Sequence, residues 1–266
     1  ATLVIIPQDG REPRVILTGE RERNIVRLPR GTYDAILFNR SFTDFSNLLF
    51  TGMESLKSLE AYAKEVVTRA DTRVIVSSPD KLASGTVRNF EVTDDMLGNY
   101  APPAARGVCP EGACRMHFTP TPLTRHIRVT LNVKGLHNVR EVRCTLDGVS
   151  LSVFLHDGHA GEELGGQQFT VGNPVFAEGS FTDGRLTGEL DVFGFDRSLS
   201  HSIALKALLV DGKTVVEQML TDITVEEETD SAGNITLFID ASVPESFPDV
   251  KPEGGSESGC DVDVDQ

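Results

Sequence analysis

The sequence predicts a mainly β protein built as two consecutive β-sandwich units. Two observations carry that prediction. From Arg125 to His156, Ile127, Val129, Leu131 and Val133 alternate with His126, Arg128, Thr130 and Asn132. A two-residue period places the apolar set on one face of a strand, so one face is buried and the other wetted. This run begins near the middle of a 266-residue chain, and a separate set of strand-like segments precedes it. At roughly 100–150 residues per domain, that length suits two units, each able to bury a core. The boundaries that follow are 1–122, 123–243 and a tail of 244–266.

In the first unit, Thr2–Ile6 is a short apolar strand and Val15–Leu17 a second. Pro29-Arg30-Gly31 turns into Thr32–Asn39, which is apolar on both phases (Ala35, Ile36, Leu37, Phe38). A strand covered on both faces reads that way. Between Ser55 and Val67 the period changes. Leu56, Leu59, Ala63 and Val66 follow three- and four-residue spacing, with Lys57, Glu60 and Lys64 between them. This spacing predicts an amphipathic helix inserted in the first unit. Thr72–Ser78 and Val87–Thr93 return to strand. Asp94–Gly112, with three prolines and three glycines, reads as a loop.

The second unit is almost purely β. Candidate strands are Glu141–Leu146, Leu151–Leu155, Gln168–Val171, Arg185–Phe193, Ser202–Leu209, Thr214–Leu220, Ile223–Glu227 and Asn234–Ile239. Asp147-Gly148, Asp183-Gly184, Asp211-Gly212 and Gly233-Asn234 supply turn signals between them. Short strands at this spacing argue for a sandwich. Beyond Ser242 the periodicity stops. From Glu245 to Gln266 there are seven acids and one lysine, which fits a flexible or extended acidic tail.

Bulk chemistry narrows the function classes. The formal net charge is −15, and binding a phosphate backbone needs clustered Lys and Arg, so no nucleic-acid partner is expected. No apolar run approaches the ~20 residues that span a bilayer. The opening ATLVIIP reads as a strand without a basic leader, so a signal peptide would lie upstream of Ala1 and be removed.

Catalytic signatures are not found: there is no G-x-S-x-G, no P-loop and no H-E-x-x-H. No enzyme activity and no cofactor are expected. The densest group of potential metal ligands is His156-Asp157-Gly158-His159 followed by Glu162-Glu163. Two imidazoles with nearby carboxylates could hold a divalent ion, but a polar hairpin loop explains the same residues and is the preferred reading. His156 and His159 are therefore the weaker metal candidates. Cys109 and Cys114 flank a short PEGA turn and could form a local disulfide or remain as two reduced thiols. Cys144 falls on an apolar strand phase and reads as a small core residue. Asp261, Asp263 and Asp265 alternate without the glycine and distal glutamate of a calcium loop.

Several phrases together resemble one family. These are Gly31–Asn39 (GTYDAILFN), the inserted segment, TRVIVSS, and the run LTRHIRVTLNVKGLHNVREVRCTLDGVSLSVFL. They are similar to the fimbrillin-associated anchor proteins of Bacteroidota (the FimB/Mfa2-like group) and to fimbrillin-like lipoproteins, over Thr2 to Val243. The resemblance implies two tandem transthyretin-like β-sandwich domains. It also implies a surface-exposed lipoprotein of the cell outer membrane, held by a lipid anchor upstream of Ala1. Its role would be a pilus (fimbria) anchor or assembly subunit that meets pilin-like subunits by β-strand addition. The alternative is a surface lipoprotein that binds a glycan or host ligand.

Overall fold

The computed structural model describes residues 1–19, 24–66, 73–96, 115–231 and 234–253. In chain order the strands among them are β1 (Thr2–Pro7), β2 (Arg14–Leu17), β3 (Gly31–Phe38), β4 (Leu48–Thr51), β5 (Glu60–Ala63), β6 (Ile75–Ser77), β7 (Ala83–Val92) and β8 (Thr121–Pro122). They continue with β9 (Arg125–Val133), β10 (Val139–Ser150), β11 (Ser152–Phe154), β12 (Leu164–Phe176), β13 (Gly184–Val192), β14 (Ile203–Leu209), β15 (Val215–Leu220), β16 (Ile223–Thr229) and β17 (Ile235–Ser242).

Three sheets result. The first runs β2-β1-β3-β7-β8. Its central strands are buried on both faces. Val4, Ile6, Ile36 and Phe38 point into one core, whereas Leu3, Ile5, Tyr33 and Ala35 point into another. This is the outcome that the two-phase apolar pattern of β3 predicts. The second sheet, β11-β5-β4, lies over the first. Its Leu48, Ala61, Ala63 and Val153 share the core of Val4, Ile36 and Phe38.

The third sheet follows the path β15-β14-β10-β12-β13-β9-β17-β16, with β6 parallel beside β12. Cys144 of β10 sits between Phe169 of β12 and Leu205 of β14. One face of this sheet closes on itself, because Leu146, Leu205 and Phe169 share a core with Ile127, Leu190, Leu237 and Ile239. The sheet is therefore curled and sandwich-like.

Strands cross between the two halves of the chain. β11, from the second half, pairs with β5; β6, from the first half, pairs with β12. Side chains fasten the exchange. The Ser152 hydroxyl donates to Glu60 at 2.5 Å, and Arg73 meets Asp147 at 2.9 Å. The Asp191 amide donates to Ser78 Oγ at 2.8 Å.

The structure corrects the helix expected at Ser55–Val67. Residues 53–58 form turns, β5 follows, and the Val66 amide donates to Ile75 at 2.7 Å as an extended chain does. The physical reason is a second phase hidden in the same residues. Leu59, Ala61 and Ala63 alternate inward and are buried. Helix propensities differ by at most ~0.7 kcal/mol per ordinary residue, whereas burying one Leu contributes roughly 1.5–3 kcal/mol. Partnership with β4 and β11 therefore decides the conformation. The only helical elements among the described residues are short 3₁₀ turns at Phe42–Asp44, Asp94–Met96 and Leu136–Asn138.

Asp147-Gly148 is a bulge inside β10 rather than a turn. Gly148 has φ +80°, and the pairing register shifts between Asp147 and Val149. Residues 244–253 also have a defined course. Phe247 is buried in the core of the curled sheet, its amide donates to Lys134, and the Glu253 amide donates to Val210.

Candidate functional site

The curled sheet leaves a seam. β15 and β16 follow each other with only Thr221 and Asp222 between them, yet they do not pair. β15 pairs with β14, and β16 with β17, so the two ends of the path are neighbours in sequence. Among the described residues, each has one paired edge and one open edge. An open edge presents a row of N–H and C=O groups that can template another strand. Val216, Ile223 and Val225 pack against the core but stay partly exposed, as expected where the two layers splay.

A cleft of about 650 Å³ opens at this seam, lined by Arg197, Leu199, His201, Thr221, Ile223 and Val225. The 195–201 loop that bounds it is held in shape. The His201 ring stacks on Phe195 at 3.9 Å, and its two nitrogens face the carbonyl oxygens of Asp147 and Asp196 at 2.9 and 2.7 Å. Arg197 reaches Glu227 of β16 at 3.4 Å. Glu226, Glu227 and Glu228 make the β16 edge acidic.

A second constellation lies in the loop after β11. Gly158 takes φ +75° and donates its amide to Phe154, which folds His156–His159 into a tight turn. The Asp157 carboxylate accepts from the His159 backbone at 3.2 Å and lies 2.6 Å from His159 Nδ1. Its other oxygen lies 3.0 Å from His156 Nε2. The Phe154 ring stacks on His159 at 4.2 Å. One ligand atom from each of His156, Asp157 and His159 falls within 4.8 Å of the others.

Burial pushes His156 below the usual imidazole range, against the pull of Asp157 and with help from Arg88, His159 and Lys57. Burial thus favours the neutral ring. Partial burial pushes the Asp157 carboxyl up, but the His159 hydrogen bonds and the nearby imidazoles outweigh it and hold the group below the usual carboxylate range. His156 Nδ1 is buried without a hydrogen-bond partner. An unsatisfied buried polar atom costs about 1–3 kcal/mol, so this ring is kept at some expense to stability.

Sequence reasoning named His156 and His159 in a cluster that also holds Asp157, and the structure brings these three together. The seam is a different matter, since no local residue pattern marks which strands stay unpaired. Cys144 is buried at the centre of the curled sheet, and burial pushes its thiol up to about 12, so it remains an inert thiol. Cys109, Cys114, Cys260 and the Asp261–Asp265 run lie outside the described residues.

Fold and site together define a mainly β protein whose curled sheet includes, among the described residues, the open edges of β15 and β16. The chain belongs to the family described as a domain of unknown function, DUF5119, whose model matches residues 1–169. No curated protein matches it. Among solved structures, the chain is similar to a candidate adhesin from Bacteroides ovatus ATCC 8483, at 17% identity and a TM-score of 0.55. The match covers 82% of this chain and 74% of that one. It is also similar to a candidate adhesin from Bacteroides thetaiotaomicron VPI-5482 (13% identity, 81% and 71% coverage, TM-score 0.48). A third is the fimbrial anchor protein Mfa2 from Porphyromonas gingivalis (10% identity, 92% and 90% coverage, TM-score 0.45). The first of these shows a shared fold.

Proposed function

We propose that this chain is a cell-surface structural protein of the fimbrial type, an anchor or assembly subunit that takes up an extended segment of a pilin-like partner at the β15–β16 seam. The observation that carries the proposal is the pair of unpaired edges beside partly exposed Val216, Ile223 and Val225. An added strand would gain main-chain hydrogen bonds from the edge and register from alternate side-chain pockets. The acidic β16 edge favours an incoming segment with Lys or Arg on its matching face. The same glutamates discourage pairing between two copies of this chain. The shared fold with a candidate adhesin supports a surface location, and the sequence resemblance supports attachment to the outer membrane by a lipid upstream of Ala1. Among the described residues, no helix is long and apolar enough to cross a membrane. The two-unit division at 122/123, with an acidic tail, belongs to this proposal.

The test is co-purification with pilin-like proteins from the same cell, compared between the native chain and Val225→Pro. Proline in an edge strand removes one N–H from the open row. Capture of a pilin-like subunit that falls at least tenfold in the variant is expected. Equal capture by both would exclude the β16 edge, and no capture by either would exclude the fimbrial role.

A second reading has one observation in its favour. Phe176 and Phe181 lie exposed near the tip of the β12–β13 hairpin, Phe181 at 90% exposure. Exposed aromatic residues can meet a glycan or host ligand. Glycan-array binding that disappears in Phe181→Ser would favour this reading over strand addition.

A further inference from the structure

We propose that His156, Asp157 and His159 form a binding site for a divalent transition metal, with Zn²⁺ as the fitting ion. Three features point there. The donor set is two imidazoles and a carboxylate, the chemistry that suits zinc rather than magnesium or calcium. The Asp157 oxygens stand 2.6 and 3.0 Å from the two ring nitrogens. Ligands on a tetrahedral ion with bonds of about 2.0–2.1 Å stand roughly 3.3 Å apart, so an ion can enter with small side-chain movements. Last, His156 is only 10% exposed at its side chain, and its Nε2, 3.0 Å from Asp157, is the ring nitrogen that faces the site.

The turn preorganises the group. Gly158 supplies the left-handed corner, and the stack of Phe154 on His159 fixes the second imidazole. A cleft of about 250 Å³ adjoins the site and is lined by Thr86, His117, Thr119, His156 and Asp157. It leaves room for water to complete a fourth position. Without an ion, protons shared with Asp157 occupy the space between nitrogen and oxygen. The site sits where β11 and β7 meet: the Ser84 hydroxyl of β7 donates to the Leu155 carbonyl at 2.5 Å.

The experiment is isothermal titration of the full, tag-free chain with Zn²⁺ after chelator treatment, alongside Asp157→Asn, His159→Ala and the distant control His137→Ala. His159 and Asp157 are surface side chains, so circular dichroism should show folded variants. The expected result is one binding event in the native chain and in His137→Ala, weakened at least tenfold in both site variants. Co²⁺ provides a second readout: visible absorption of a four-coordinate nitrogen–oxygen site in the native chain, lost in His159→Ala. A native chain that takes up no Zn²⁺ would overturn the proposal. So would uptake that persists in both site variants, or a Co²⁺ spectrum carrying sulfur charge-transfer bands, which would place the ion on cysteines.

Discussion

Gly10 and Gly52 show how much one methyl group can matter at two similar backbones. Both take positive φ, +83° and +70°. At Gly10 nothing lies within 4 Å of where a Cβ would stand, whereas at Gly52 the Cβ would collide with the Ser58 carbonyl oxygen. Gly10→Ala should therefore cost only the left-handed penalty of about 1–2 kcal/mol. Gly52→Ala should cost about 3 kcal/mol or more, because backbone must move as well. Urea denaturation of the two variants checks the ordering, and equal losses would contradict it. Both glycines are visible in the sequence, but the difference between them is not, since Ser58 reaches Gly52 only through the fold of the 53–58 turns. The histidine loop has the same history. His156 and His159 are legible as donors from their types and spacing. Asp157 becomes a third only once its carboxylate accepts the His159 amide and turns toward both rings.

At the scale of elements, the 243–253 segment does more than its composition suggests. The Val243 amide extends the pairing beside Asn132, and Gln218 of β15 exchanges two 3.0 Å hydrogen bonds with Glu245. Phe247 then inserts into the core of the curled sheet, where it is buried. Phe247→Ala should destabilise the protein by roughly 3–5 kcal/mol, the range for a buried phenylalanine that leaves a cavity. Denaturant titration measures this directly; a loss under 1 kcal/mol would mean that the segment lies loosely on the surface. A lone Phe among Pro, Ser, Asp and Glu carries no period, so the sequence offered no signal for it. Strands with clean alternation, such as β9 and β14, were legible because burial on one face imposes that alternation. β5 was not, because Leu56, Leu59 and Ala63 satisfy helical spacing while Leu59, Ala61 and Ala63 satisfy strand spacing. Only the partners on either side of β5 choose between them. Asp147-Gly148 misled for a related reason: a left-handed glycine serves a bulge as well as a turn.

For the whole molecule, the two halves share a core. Leu123, Leu151, Val153, Leu155 and Phe193 pack with Val4, Ile36, Phe38 and Leu59. Calorimetry should therefore show one unfolding transition, and the 123–253 fragment alone should fail to give a soluble monomer, because that shared face would be exposed. Two separate transitions, or a well-behaved fragment, would show instead that the halves fold independently. The exchange of β6 and β11 has a mechanical consequence. Tension pulling the halves apart along those strands loads the short β6–β12 and β11–β5 ladders in shear, so their hydrogen bonds must fail together instead of opening one at a time. A chain built this way passes load across its middle without relying on the linking segment between its halves.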